Sequence, residues 1–238
     1  MSNRVTAVEV ARRGLCRMIA TGELATGQLL PSEAELCERF GVSRSSLREA
    51  QKMLGVAGAL SPRPGSRAAV AEMTPSDIMS GLGMVVPLLP LERFVEMLSM
   101  RAVLEGHLAA LSAARLTDTE ITRLAALAEE LATVEDPDAS QQLDRDFHDI
   151  IIEGAAEPMI AAVLDAIRRR GRDYRIFDDP AHAGLKAESD AAHRAIAAAM
   201  RAKDPERARA LSTQHVLTTR SWLEGIRPGP TLSDSEPR

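Results

Sequence analysis

Helical spacing of apolar residues runs through most of this chain, and the places where it fails mark the joints between elements. The spacing predicts a first helix over 5–20, ending before Thr21-Gly22 and made basic by Arg12, Arg13 and Arg17. Residues 31–54, PSEAELCERFGVSRSSLREAQKML, then read as two short amphipathic helices broken at Gly41-Val42. Ser32 and Glu35 have the spacing of a capping box, so a helix is expected to start there. Leu36 and Phe40 supply its apolar stripe, and Gly41 stops it by accepting a left-handed conformation. Ser43 caps the next helix, in which Leu47, Ala50, Met53 and Leu54 are expected on one buried face and Arg44, Ser45, Arg48 and Lys52 on the other.

Two very short strands around a Pro/Gly turn follow within 60–70, the pattern of a β-hairpin wing with Arg63 and Arg67 flanking its tip. Residues 73–90, rich in Pro and Gly, read as a connector whose Thr74-Pro75-Ser76-Asp77 start can open a short helix. Beyond it the 3.6-residue period predicts helices over 91–115, 118–134, 139–155, 157–177, 184–202 and 204–226. Residues 228–238, with no apolar periodicity, are expected to be a disordered tail. The expected fold class is therefore mainly α: a winged helix-turn-helix over 1–72, a linker over 73–90 and an all-α bundle over 91–227.

Charge sharpens this division. Residues 1–70 hold ten Lys/Arg against six Asp/Glu, net +4, and residues 71–238 hold nineteen against twenty-eight, net −9. The basic half attracts a polyanion and the acidic half does not. A helix whose N-terminus presents arginines fits the major groove, where the Arg fork matches guanine O6 and N7, while serine hydroxyls and helix N-terminal amides suit phosphate. A solvated basic face on a helical hairpin is the alternative, and the wing counts against it. Two cysteines, Cys16 and Cys37, lack metal-type spacing and read as buried reduced thiols. With no signal-like N-terminus and no apolar run of about 20 residues, a cytoplasmic, non-membrane protein is expected.

In the bundle, Asp144 and His148 stand at i and i+4 on a face marked inward by Phe147 and Ile151. His193 shares a stripe with Ile196 and Met200, and His215 shares one with Leu211, Thr218 and Trp222. Three helices thus direct a potential ligand toward the interior, where bundles build metal sites. Three imidazoles and a carboxylate suit a divalent metal, Zn in the first place, with Ni, Mn or Fe as alternatives. The competing reading is separate core histidines hydrogen-bonded to neighbours. Arg101 lies on an apolar stripe with Leu98, Leu104 and Leu108, so its guanidinium needs an anionic partner: Glu105 at i+4, or a carboxylate ligand beside a metal.

These motifs resemble the GntR family of bacterial transcription regulators, in its FadR-type branch with a helical FCD ligand domain. Gly27-Gln28-Leu29-Leu30-Pro31-Ser32-Glu33, Phe40-Gly41-Val42-Ser43-Arg44 and Leu47-Arg48-Glu49-Ala50 are similar to its winged-helix signature; 101–105, 144–148, His193 and His215 are similar to its helical domain. The resemblance implies a homodimer on a short pseudo-palindromic operator, with Arg44 and Arg48 on bases or phosphates, Ser43, Ser45 and Ser46 on the backbone, and Gly65 at the wing tip. It also implies a small organic acid bound near a metal held by Asp144, His148, His193 and His215. Arg101 favours a carboxylate effector, a sugar acid or hydroxy acid. Departures are Ala34, where many relatives carry arginine, Ser66-Arg67 in place of Gly-Thr at the wing, and Glu157-Pro158. The expectation is a ligand-responsive repressor rather than an enzyme; the alternatives are a metal-dependent enzyme acting on a small carboxylate, and a regulator whose metal is purely structural.

Overall fold

The computed structural model describes residues 5–63 and 65–229. The expected tail therefore lies, from residue 230 onward, outside the described residues. The chain divides into two compact units, Met1–Met84 and Val85–Arg238.

In the first unit, α1 (Ala7–Ala20), α2 (Glu33–Phe40) and α3 (Arg44–Val56) enclose a small core centred on Leu15, Leu36, Leu47 and Leu54. The predicted punctuation is present. Ser32 and Glu35 form a reciprocal capping box, Gly41 closes α2 with φ +64, and Ser43 caps α3 by accepting from the Ser46 amide. Gly14 of α1 sits against the Phe40 ring, where a Cβ would lie 2.5 Å from Cε1, so the ring packs directly on the α1 backbone. Met53 departs from expectation: it is 47% exposed. At 100° per residue it lies well round the helix from Leu47, Ala50 and Leu54, which form the buried stripe without it. Cys16 and Cys37 are free and half-buried against this core instead of fully buried.

The wing consists of β1 (Leu60–Ser61) and β2 (Ala69–Val70), antiparallel with Leu60 opposite Val70 and Ser61 opposite Ala69. Residues 27–30 add to its other edge, with the Leu30 amide donating to Ala68 O and the Val70 amide to Gln28 O, which ties the wing to the chain entering α2. Much of the segment expected to connect the halves is helical: α4 (Pro75–Val85) begins where Thr74 and Asp77 cap each other reciprocally. A 3₁₀ turn, Val86–Leu88, follows. The apolar run 84–91, broken by Pro87 and Pro90, reads from sequence as a buried linker or short helix; Val86 is buried, but Met84, Val85 and Leu88 are exposed.

The second unit is a helical bundle: α5 (Leu91–Arg115), α6 (Asp118–Leu131), α7 (Pro137–Gly154), α8 (Pro158–Arg172), α9 (Ala183–Arg201) and α10 (Pro205–Ile226). Helix α5 is its axis, packed along α10 and touching α7, α8 and α9. The α5–α10 seam is close because residue 106 is glycine: a Cβ there would lie 2.2 Å from Thr213 Oγ1 and 3.1 Å from Arg209 O. Helix α8 ends five residues earlier than its spacing predicts. The chain turns after Arg172, Arg175 takes a left-handed φ of 42°, and Tyr174 and Ile176 fold back into the apolar cluster around Phe94 and Leu98. That tertiary burial overrides a periodicity that would have carried the helix onward.

Candidate functional site

The three histidines converge. His148 on α7, His193 on α9 and His215 on α10 each offer a ring nitrogen, and these atoms all lie within 4.8 Å of one another. His148 Nε2 and His193 Nε2 are 3.3 Å apart. Asp144, one turn before His148, brings Oδ1 to 3.4 Å from His193 Nε2 and 3.7 Å from His148 Nε2. All four sequence-predicted ligands thus meet at one place, and the rings are packed against each other and against Phe147.

The chemistry of this donor set fits a divalent cation. Two imidazole nitrogens bound at 2.0–2.1 Å to one tetrahedral ion stand about 3.3 Å apart, the spacing of the His148–His193 pair. Only one proton fits between Nε2 atoms 3.3 Å apart, so at least one nitrogen lone pair points into this buried place. Burial keeps His148 and His215 neutral, their pKa values well below the usual histidine range, with the Arg168 charge adding to the effect at His148 and the His193 ring at His215. Neutral imidazole is the ligating form. Burial pushes the Asp144 carboxyl up, but the hydrogen bond with His193 and the Arg168 charge hold the group well below the usual carboxylate range.

A supporting layer surrounds the ligands. Arg101 on α5 donates from Nε to Glu105 Oε1 at 2.6 Å, and the other oxygen of Glu105 lies 3.6 Å from His148 Nδ1. The same carboxylate thereby pairs with Arg101 and faces the outer nitrogen of the His148 ring, the side from which a carboxylate favours the tautomer with Nε2 free. Of the two partners that the spacing left open for Arg101, Glu105 is the one in contact. Arg168 on α8 escaped the sequence reading. It is buried, approaches Asp144 Oδ2 with Nη2 at 3.7 Å, and among the described residues has no hydrogen-bond partner at Nη1. A signal existed: Leu164, Ile167, Arg168 and Gly171 fall at i, i+3, i+4 and i+7, the same arginine-in-a-stripe pattern that singled out Arg101.

Beside the ligands lies a cavity of ≈ 370 Å³. Asp144, His193 and His215 form one wall, Arg101, Arg168 and Arg172 another, and Phe94, Leu98, Ile176 and Phe177 supply apolar surface. Arg175 and Lys186 also reach it but are committed to Asp138 and Asp178 and to Asp190 respectively. Of the four candidate ligands, Asp144 is the one whose side chain stays 36% exposed.

In the first unit, Arg44, Ser45 and Arg48 are exposed on α3. The hydroxyls of Ser45 and Ser46 lie 2.9 and 3.0 Å from the Ser43 hydroxyl, gathering three serines at the N-terminus of α3. Arg63, Gly65 and Arg67 are exposed on the wing, where Gly65 has φ +70. Residue 64 is outside the described residues. A groove between wing and helices is lined by Leu30, Glu33, Gln51, Gly65 and Arg67. Glu33, not anticipated from sequence, accepts from Arg48 Nε at 2.8 Å.

A basic winged helix-turn-helix joined to a helical bundle with a His-rich centre defines a class of two-part regulatory proteins. Comparison with known proteins narrows it. Residues 7–70 match the model of bacterial regulatory proteins of the gntR family, and residues 96–218 match the FCD domain. The chain belongs to the GntR family, FCD type, whose members are transcription regulators and not enzymes. It is 30% identical over 228 residues to the HTH-type transcriptional repressor NanR of Citrobacter rodentium, covering 90% of this chain and 84% of that protein. It is 29% identical over 165 residues to the Glc operon transcriptional activator of Escherichia coli K12, covering 67% of this chain and 65% of the activator's length. Among solved structures, Streptococcus agalactiae GntR matches with a TM-score of 0.55 and 26% identity over 90% of this chain and 99% of that one. These findings agree with the fold class expected from the sequence and set aside the enzyme alternative. Among the described residues, no helix is long and apolar enough to cross a membrane.

Proposed function

We propose that this chain is a DNA-binding transcription regulator, acting as a homodimeric repressor, whose operator affinity is set by a small carboxylate bound beside a divalent metal in the second unit. Asp144, His148, His193 and His215 would hold the metal, which when bound supplies a cationic anchor for carboxylate or hydroxyl oxygens. Arg168 would donate to the effector's carboxylate, Glu105 would orient His148, and Arg101 holds Glu105. The single observation that carries the reading is the buried, unpartnered Nη1 of Arg168 in a residue that lines the same cavity as Asp144, His193 and His215. A buried guanidinium nitrogen without a partner is strongly unfavourable, and an incoming carboxylate relieves it. On the DNA side, Arg44 and Arg48 would meet bases or phosphates, Ser43, Ser45 and Ser46 the backbone, and Arg63, Gly65 and Arg67 the wing contacts. The effector changes DNA affinity only as far as it binds the two states of the dimer unequally, and residues 73–90 join the two functions along the chain.

The test uses the full chain, metal-loaded and chelated, with a panel of hydroxy acids and sugar acids. Trp222, the chain's one tryptophan, stacks edge-on to Phe177 of the cavity lining and serves as the fluorescent reporter. The expected result is a fluorescence response to at least one acid, lost on chelation and in His193→Ala, with a parallel change in affinity for DNA from the gene's own promoter region. If His193→Ala lowers thermal stability but leaves the response to acids intact, the metal is structural and the sensing reading fails.

A further inference from the structure

The Arg48 guanidinium is held from behind. Glu33, the first residue of α2, accepts from Arg48 Nε at 2.8 Å across fifteen positions of sequence, linking the two helices of the helix-turn-helix on their exposed face. Each partner's pKa is shifted in the sense of a mutual hydrogen bond: Glu33 below the usual carboxylate range and Arg48 further up. Such a pair is worth little to folding, because the Arg48 side chain is 65% exposed and solvent screens the attraction. Its consequence falls on geometry instead. A carboxylate engaging Nε leaves both terminal nitrogens free, and the Nη1–Nη2 edge is one of the forks that match guanine O6 and N7. Of the other carboxylates in the motif, Glu35 is committed to the Ser32 capping box. Glu33 itself sits in the groove between α3 and the wing, beside Gln51 and Arg67.

We infer that Glu33 is a specificity-determining residue: it positions Arg48 so that one edge of the guanidinium is presented, preformed, to a single base pair of each half-site. Its negative charge also opposes phosphate, so it lowers affinity for DNA that offers Arg48 no matching base. An exposed arginine that is already immobilised loses less freedom on binding. The inference rests on the DNA-contact role proposed for Arg48, and the experiment separates the two.

A duplex enriched by the full-length wild-type chain from a random-sequence pool, and a scrambled duplex of equal length, are titrated by fluorescence anisotropy at one fixed ionic strength. The proteins are wild type, Glu33→Ala, Glu33→Gln, Arg48→Ala and the Glu33→Ala/Arg48→Ala double variant, each confirmed folded by circular dichroism. Both Glu33 variants are expected to weaken the enriched duplex about five- to tenfold while binding the scrambled duplex as well as or better than wild type. In the Arg48→Ala background, Glu33→Ala should cause no further loss on the enriched duplex, the coupling signature of a residue acting through its neighbour. Repeating the selection with Glu33→Gln should relax preference at one base pair per half-site and leave the others intact. Affinity rising equally for both duplexes would show Glu33 to be only a repulsive charge and overturns the inference. An equal loss with and without Arg48 would reduce Glu33 to support of α2 and overturns it as well. If Arg48→Ala leaves enriched-duplex binding unchanged, the contact role of Arg48 fails and the inference falls with it.

Discussion

Glu105 serves two masters in the bundle, and that makes it the most informative single residue to change. It is buried, accepts from Arg101 Nε and faces His148 Nδ1. Glu105→Ala strands the Arg101 guanidinium in the interior, an effect of about 3–5 kcal/mol for broken buried pairs, and urea denaturation reads it directly. Metal affinity should fall about 10- to 100-fold, as it does when an outer partner of a ligating histidine is removed; competition with a chromogenic chelator measures it. Acid should destabilise the metal-free protein. His148 and His215 are held neutral by burial, whereas in the unfolded chain they take up protons near the ordinary value of 6.5. Their contribution is therefore fully present above that pH and is lost as pH falls below it, at about 1.4 kcal/mol per pH unit for each histidine. Asp144, held low, acts in the same direction but only below its ordinary 3.8. Urea midpoints of the chelated protein should change little from pH 7.5 to about 6.5 and fall steadily from there to pH 5; a flat profile throughout would contradict neutral buried rings. At this scale the histidine cluster was legible, because each of its histidines stood alone on an apolar stripe of its helix. Arg168 was overlooked despite the same signal. Glu33 gave none, since its partner lies on another helix and the turn at Gly41 decides the distance.

At the scale of elements, sequence reading succeeded where local chemistry punctuates the chain. The capping box at Ser32, the left-handed Gly41 and the Ser43 cap bound the helix-turn-helix, and all three are local interactions. It failed where tertiary packing decides. The end of α8 at Arg172 depends on Tyr174 and Ile176 finding an apolar cluster, and the exposure of Met53 depends on which arc of α3 the other helices cover. The close seam between α5 and α10 was likewise invisible from periodicity, because nothing in the spacing says which helix Gly106 meets. Gly106→Ala should force that seam apart: its Cβ would collide with Thr213 Oγ1 and press on the Arg209 carbonyl, and the latter is backbone that cannot swing aside. The expected destabilisation is about 1–3 kcal/mol, read by urea denaturation of the metal-loaded protein. Because Glu105 precedes Gly106 and His215 lies on α10, metal affinity should fall in the same variant. Gly225→Ala, also on α10 but with nothing within 4 Å of the added Cβ, is the control expected to change neither.

For the whole molecule the governing quantity is charge. Residues 1–70 carry net +4 and the remainder net −9, so attraction to DNA is concentrated on one part of a chain that is acidic overall. Each phosphate neutralised by an arginine releases counterions, and log K falls with log salt by about 0.9 for each such contact. This separates the arginines by role. If Arg67 on the wing contacts phosphate, Arg67→Ala should weaken enriched and scrambled duplexes alike and make the salt slope shallower by about 0.9 per protomer. If Arg44 reads a base, Arg44→Ala should instead cost the enriched duplex about 1–3 kcal/mol, relax selection at one position and spare most of the scrambled-duplex affinity. Titrations of both variants at several salt concentrations on both duplexes distinguish the outcomes. The wing is the sharper case, because Ser66-Arg67 adds a charge beside the exposed turn at Gly65. A salt slope unchanged in Arg67→Ala would place that charge off the phosphate backbone and remove the wing from the electrostatic part of the binding.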